Sequence, residues 1–407
     1  MTDVLILGGG LAGCAAALAL ADQGIGATIV EARDRLGGRA FSRALPGDDG
    51  PPVEYGGGWG APHHHRLQAL AARLGLGLTP RAPLAGQVQI PAQRDPGHDA
   101  AMALWRTDAA ASDPGVLAMT MADYLDSRAM PASARREILA WWAISGATDP
   151  SLGTLAGILS PKLALGFGPK LEELAYTITG GVQGLAEGAA RLSGARLLMS
   201  SPAERLSQDE TGVRLRLASG QELTARAAIV ALPVNVLDQL RLEPPLPPAA
   251  AEVRRKGHAA KIVKFLIRAS GIEPGTLVTG EAGGLRFLWA DHLRADGSTL
   301  VVGFALAEEM PEPSEALARA GLALAFPGAG FLSADWHDWQ ADPFARGVWV
   351  GPRAEVEHLH APEHWGPFGR IGFAGSDIAP EEQGWFEGAL ASAEWTVAAL
   401  AEGVLRE

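Results

Sequence analysis

Three glycines and one acid near the N-terminus have the types and spacing to hold a dinucleotide. Gly8-Gly9-Gly10-Leu11-Ala12-Gly13 fits G-x-G-x-x-G. In such a motif Gly8 permits the tight turn, Gly10 lets the backbone approach a pyrophosphate, and Gly13 lets a helix lie close to a strand. A helix opened by this motif would turn free N–H groups and its positive dipole end towards the phosphates. Glu31 stands where an acid accepts hydrogen bonds from a ribose hydroxyl. A carboxylate there repels a 2′-phosphate, which disfavours NADP.

The elements that would position these residues are legible around them. Val4-Leu5-Ile6-Leu7 is a short apolar run, the mark of a buried parallel strand. Ala-rich sequence from Cys14 to Asp22 reads as helix, ended by Gly24 and Gly26. Ala27-Thr28-Ile29-Val30 is a second strand with Glu31 at its C-terminal end. Later stretches add a hairpin-like segment through Val213–Leu217 and Ser219-Gly220, a strand at Ala228–Leu232, and strands at Ile262–Ile267 and Thr299–Ala305. Ser133 to Ile144 reads as helix with Ser133 as its N-cap. At 407 residues the chain exceeds one hydrophobic core and suits two domains.

Composition removes several classes of function. Hydrophobic residues make up 47% and charged residues 20%, which suits a globular chain. The net charge is −12 with no basic block, so a nucleic-acid partner is not expected. The single cysteine, Cys14, leaves no intrachain disulfide and no cysteine-based metal site. No apolar run reaches the roughly 18 residues of a membrane span, and MTDVLILGGG lacks the pattern of a signal peptide. A cytoplasmic protein without a membrane partner is expected, and a homodimer is compatible with this composition. His63-His64-His65 is read as the start of a solvated helix and not as a metal site, because no partner cluster is visible.

Beyond the glycine motif, Glu31-Ala32-Arg33-Asp34-Arg35-Leu36-Gly37-Gly38-Arg39 resembles the E-A-R-x-R-x-G-G-R run of the flavin-containing monoamine oxidase family. Glu54-Tyr55-Gly56-Gly57-Gly58-Trp59 resembles the segment that lies against the flavin in that family. Gly180-Gly181-Val182-Gln183-Gly184-Leu185 resembles its G-G-x-x-x-L. Arg370-Ile371-Gly372-Phe373-Ala374-Gly375-Ser376-Asp377 and Gly384-Trp385-Phe386-Glu387-Gly388-Ala389 resemble its C-terminal signature.

The resemblance implies an α/β fold of two domains. One is a Rossmann-like FAD-binding domain of the glutathione-reductase type, built from about 1–79, 177–238 and 346–407; the other is a mixed α+β substrate domain from about 80–176 and 239–345. It implies Arg33 and Arg39 at the diphosphate, Ala203 near the adenine and Asp377 at the ribityl chain. It also implies a helix N-terminus at Gly384-Trp385-Phe386 aimed at the isoalloxazine. Val348 falls where mammalian-type members carry the flavin-linking cysteine, so FAD is expected to be non-covalent. Trp349 and Trp385 match the two aromatic rings that flank the amine. Lys261 matches the lysine that holds a water at flavin N5, by its spacing from Gly257. Its rival Lys264 differs by an odd number, so on a regular strand the two face opposite sides.

The activity implied is oxidation of a primary or secondary amine to an imine, with O2 or another electron acceptor reoxidising the flavin. A desaturase or an amino-acid oxidase of the same fold, and a flavin-binding protein without catalysis, are the alternatives. Amine-dependent bleaching and peroxide production discriminate among them.

Overall fold

Val4–Leu7 lies at the centre of a five-stranded sheet, between Ala27–Val30 and Ala227–Val230, with Arg196–Leu198 and Ile371–Phe373 at the edges. Every pairing is parallel, so both faces must be covered, and the central strands are apolar at each position. Strand alternation divides the two cores. Val4 and Ile6 pack with the helices Leu11–Ala21, Gln183–Ser193 and Phe386–Leu400, whereas Leu5 and Leu7 pack towards a second, four-stranded sheet. The computed structural model describes residues 3–159, 165–307, 312–351 and 353–405.

The four-stranded sheet contains Ala203–Gln208, Val213–Leu217, Glu222–Ala225 and Arg241–Glu243. The last of these, expected in the substrate domain, pairs in parallel with Ala203–Gln208. The following helix, Pro248–Lys256, buries Ala250 and Val253 in the same core. The apolar face of this helix thus finds its partner in the core beneath the four-stranded sheet.

A six-stranded sheet forms the other unit, in the order Gly330–Trp336, Ile262–Ser270, Thr299–Leu306, Leu285–Leu293, Thr276–Ala282, Gly86–Ile90. Both faces are covered. Val263, Phe265 and Ile267 pack under the helix Glu315–Ala325 through Ala318 and Leu322. Ile262 and Leu266 belong to the opposite core, with Ile138, Trp141 and Trp142 of the helix Ala132–Ser145. Where the chain passes between the units, Leu78–Pro80 pairs with Tyr176–Ile178.

Ser133 does not cap its helix. Pro131 holds that place, and the Asp95 N–H donates to Ser133 Oγ at 3.0 Å while the Ser133 N–H donates to Asp95 Oδ2 at 2.7 Å. A tertiary partner takes the hydroxyl that local preference would have put on the helix end. Among the described residues no helix is long and apolar enough to cross a membrane.

Candidate active site

A cavity of about 500 Å³ extends from the glycine loop to the apolar face of the six-stranded sheet. At its first end the helix Leu11–Ala21 starts with Gly10 and no side-chain cap, so its first-turn N–H groups are free for an anion. A Cβ built on Gly10 would meet only the Gly37 carbonyl oxygen, at 3.9 Å, and one on Gly375 would meet nothing within 4 Å. Both backbones thus face open space in the cavity wall. Gly13 has the other role: its Cβ would lie 2.0 Å from the Gly8 carbonyl oxygen, and the residue is not in the cavity wall. The buried Glu31 carboxylate accepts from the Gly9 N–H at 2.6 Å and the Arg33 N–H at 2.8 Å, which ties the second strand to the loop. These features fit a bound dinucleotide.

The two arginines are anchored by acids from distant segments. Arg33 donates to Asp342 Oδ1 at 2.5 Å. Burial opposes ionisation of Asp342, but hydrogen bonds from His337 and Arg33 overcome it and hold the carboxyl well below its usual range. Arg39 donates to the Val348 carbonyl oxygen at 2.5 Å and to Asp377 Oδ1 at 2.7 Å. Asp377, expected at the ribityl chain, is not in the cavity wall. It is 2% exposed and also accepts from the Val234 N–H at 3.1 Å. Burial raises its carboxyl, and Arg39 and His258 outweigh that and lower it. Its work is to fix Arg39, which does line the cavity with Ser376.

The other end is aromatic. Trp349 and Trp385 both line it, and their segments meet at Gly384, where an added Cβ would lie 3.6 Å from Trp349 Cβ. Trp349 Nε1–H donates to the Ser145 carbonyl oxygen at 3.3 Å. Trp385 caps the helix Phe386–Leu400 without a side-chain bond, so this N-terminus also opens at the cavity. Gly57 passes so close to Phe386 that a Cβ would lie 2.7 Å from its ring. Gly8, Leu11, Ala12, Ala32, Gly38, Gly58, Trp59 and Ala203 complete the expected wall.

Lys261 does not reach the cavity. It is exposed, just before the strand begins at Ile262, and among the described residues its backbone alone is engaged, donating to the Ala147 carbonyl oxygen at 2.6 Å and accepting from the Ala307 N–H at 3.1 Å. Lys264 is the lysine in the wall: 7% exposed, donating to the Gly56 carbonyl oxygen at 3.0 Å, with Nζ 5.1 Å from the Trp59 ring centroid. Alternation does put the two on opposite faces, but the inward face is the one shared by Ile262, Lys264 and Leu266. Burial pushes the Lys264 ammonium down to about 8, against the attraction of Glu54 and Asp291. A signal was available: Lys264 sits in a run apolar on both faces, where a lysine must be buried.

His64 is also not solvated. It is fully buried, and the Ala61 N–H donates to its Nδ1 at 3.0 Å. The neutral ring therefore carries its proton on Nε2, which lies 3.5 Å from Glu382 Oε2. His63, His64 and Glu382 bring ligand atoms within 4.8 Å of one another, but a protonated Nε2 has no lone pair to give a metal. Burial pushes the His64 imidazolium down. Sequence reasoning missed further wall residues, among them Phe304, Ile144, Glu173, Glu357 and Gln383. Trp141 lines the cavity; its neighbour Trp142 is core, its Nε1–H donating to the Thr148 carbonyl oxygen at 2.7 Å.

Comparison with known proteins identifies the family. Residues 138–401 match the model of the family described as flavin containing amine oxidoreductase, and residues 6–74 match an NAD(P)-binding Rossmann-like domain. (S)-6-hydroxynicotine oxidase of Paenarthrobacter nicotinovorans is 30% identical, over 98% of this chain and 99% of its own length. Pseudooxynicotine dehydrogenase of a Pseudomonas species is 26% identical, over 96% of this chain and 84% of its own. Among solved structures, cyclohexylamine oxidase from Brevibacterium oxydans superposes with a TM-score of 0.83 at 23% identity, covering 98% of this chain and 99% of that one. A family match over well over half the length, and a relative that aligns along nearly all of it, place this chain in the flavin-containing amine oxidoreductase family, as an enzyme that oxidises amines with FAD.

Proposed function

We propose that the chain oxidises a primary or secondary amine to the imine and passes the electrons to O2, releasing H2O2. Two electrons and two protons leave the amine and reduce O2; water then hydrolyses the imine to an aldehyde or ketone plus amine or ammonia. Bound FAD supplies the two-electron acceptor. The observation that carries the reading is that Trp349 and Trp385 both line the cavity on segments that meet at Gly384, in a wall that continues through Phe304 and Trp141. An aromatic slot of this kind favours a neutral amine, because an unpaired ammonium would lose its hydration there. The neutral nitrogen is the form that can be oxidised. Lys264 holds positive charge, or a water, beside the reacting centre.

The same reading gives FAD to residues 1–79, 177–257 and 346–407, and the amine to 80–176 and 258–345. FAD is held without a covalent bond: Val348 offers no nucleophile, and the buried Cys14 thiol is pushed up by burial and points at the Gly9 carbonyl oxygen, 3.3 Å away. Acid precipitation should release all the flavin, and colour retained on the pellet would overturn this point.

A panel that includes 6-hydroxynicotine, pseudooxynicotine, cyclohexylamine and aliphatic diamines tests the activity. Anaerobic bleaching of the flavin by at least one amine, with peroxide formed on admitting air, is expected. Bleaching without peroxide would overturn O2 as acceptor, a reading favoured by the relative named a dehydrogenase. No bleaching by any amine would overturn the proposal.

A further inference from the structure

Glu54 and Lys264 meet over the Cα of Gly58, in the space a side chain there would fill. A Cβ built on Gly58 would lie 3.1 Å from Glu54 Cβ and 3.5 Å from Lys264 Nζ. The two groups come from separate parts of the fold, Glu54 from the strand Val53–Glu54 and Lys264 from the strand Ile262–Ser270. The Glu54 carboxylate accepts from Ser42 Oγ–H at 2.6 Å and from the Val182 N–H at 3.0 Å. Two donors aimed at its two oxygens favour the ionised carboxylate. Lys264 spends one N–H on the Gly56 carbonyl oxygen and has two more to give.

We propose that Glu54 is a positioning residue that keeps Lys264 in its ammonium form at the cavity wall, by holding a hydrogen-bonded carboxylate beside Gly58, on the side where the ammonium lies. The proposal rests on the reading of Lys264 as the lysine that faces the flavin. A buried lysine without an opposite charge sheds its proton, since desolvation disfavours the charged form. Glu54 and Asp291 are the acids that face Lys264 among the described residues. Asp291 is already engaged by Trp289 Nε1–H at 3.0 Å and contacts His292 Nδ1 at 2.9 Å. Burial pushes the Glu54 carboxyl up and the Lys264 ammonium down, and the charge of each opposes the shift of the other. Conversion of Glu54 to a neutral amide leaves the lysine with Asp291 alone, and its proton is then lost at lower pH.

The absorbance of oxidised FAD in the holoenzyme reports the charge beside it and needs no substrate. Titrated from about pH 6 to about pH 9, the wild-type spectrum should show a transition near the Lys264 value. Lys264→Met should abolish it. Glu54→Gln should move it down by about one pH unit or more, and Glu54→Asp should restore it most of the way. Ser42→Ala removes one donor from the carboxylate and should move it in the same direction by less, which keeps the test available if Glu54→Gln retains no flavin. A transition lost in Lys264→Met but unmoved in both Glu54→Gln and Ser42→Ala would overturn the role of Glu54 alone. A missing wild-type transition, or one that survives in Lys264→Met, would overturn the placement of Lys264 beside the flavin and the proposal with it.

Discussion

His64 stands edge-on against Trp385, with ring centroids 5.0 Å apart and planes at 68°. Its Nδ1 is held by the Ala61 N–H and its Nε2 faces Glu382, so the imidazole cannot turn and Trp385 leans on a fixed surface. Trp385→Ala should slow anaerobic reduction by amine about a hundredfold while FAD stays bound. His64→Ala should cost about tenfold, because the indole is displaced and not removed; a shift of an ångström in a positioned group reaches this range. Stopped-flow reduction of both variants, beside their flavin content, is the check. Unchanged rates with lower thermal stability would make Trp385 a core residue only.

Lys264 and Lys261 form an internal control. Lys264→Met should slow reoxidation of the reduced enzyme by O2 by about ten- to a thousandfold, the range for loss of one electrostatic or acid–base group. Lys261→Met, at an exposed position outside the cavity wall, should change it by less than about threefold. Rapid mixing of each reduced variant with air-saturated buffer decides. A defect confined to the Lys261 variant would show the inward face to be misassigned.

The exchange of these two lysines marks where sequence stops being sufficient. The glycine loop and Glu31 stood out because they lie in one strand–loop–helix–strand pattern, and Arg33 and Arg39 through the resemblance; the distant acids that anchor the arginines carried no such signal. Alternation placed Lys261 and Lys264 on opposite faces, but which face looks inward depends on the helices Ala132–Ser145 and Glu315–Ala325, packed from far along the chain. The resemblance put Asp377 at the ribityl chain; its pairing with Arg39, 338 positions away, was not legible. Ser133 was lost from its helix end to Asp95 in the same way. Phe304, Glu173 and Glu357 carry no local motif, and only tertiary packing brings them to the cavity.

Glu31 joins the loop to the second strand through Gly9 and faces the cavity. Glu31→Ala removes both the loop anchor and the acceptor for a ribose hydroxyl. Loss of a charged hydrogen-bonding partner in a buried site costs a few kcal/mol, so FAD affinity should fall by about tenfold or more. Titration of apoprotein with FAD measures it. Equal affinity in the variant would remove Glu31 from the ribose contact.

Acid stability should be governed in part by His258. The ring is 3% exposed, and neither nitrogen has a hydrogen-bond partner among the described residues. Burial pushes its imidazolium down to about 4; Asp377 opposes this, while Arg39, His360 and Arg353 add to it. The unfolded chain takes up this proton near pH 6.5 and the folded chain does not. Above about pH 6.5 the ring is neutral in both states and contributes no pH dependence. As pH falls from there to about 4, the unfolded state gains a proton that the native state refuses, and stability declines by up to about 1.4 kcal/mol per pH unit, on the order of 3 kcal/mol in all. His64 and His360, both lowered first by burial, act in the same direction. His258→Leu puts an aliphatic side chain of similar size in its place and deletes the titration. Denaturant unfolding at a series of pH values should therefore show a shallower decline in the variant between pH 6.5 and 4, with the curves parallel above that window. An identical slope in wild type and variant would mean that His258 is protonated in the native state.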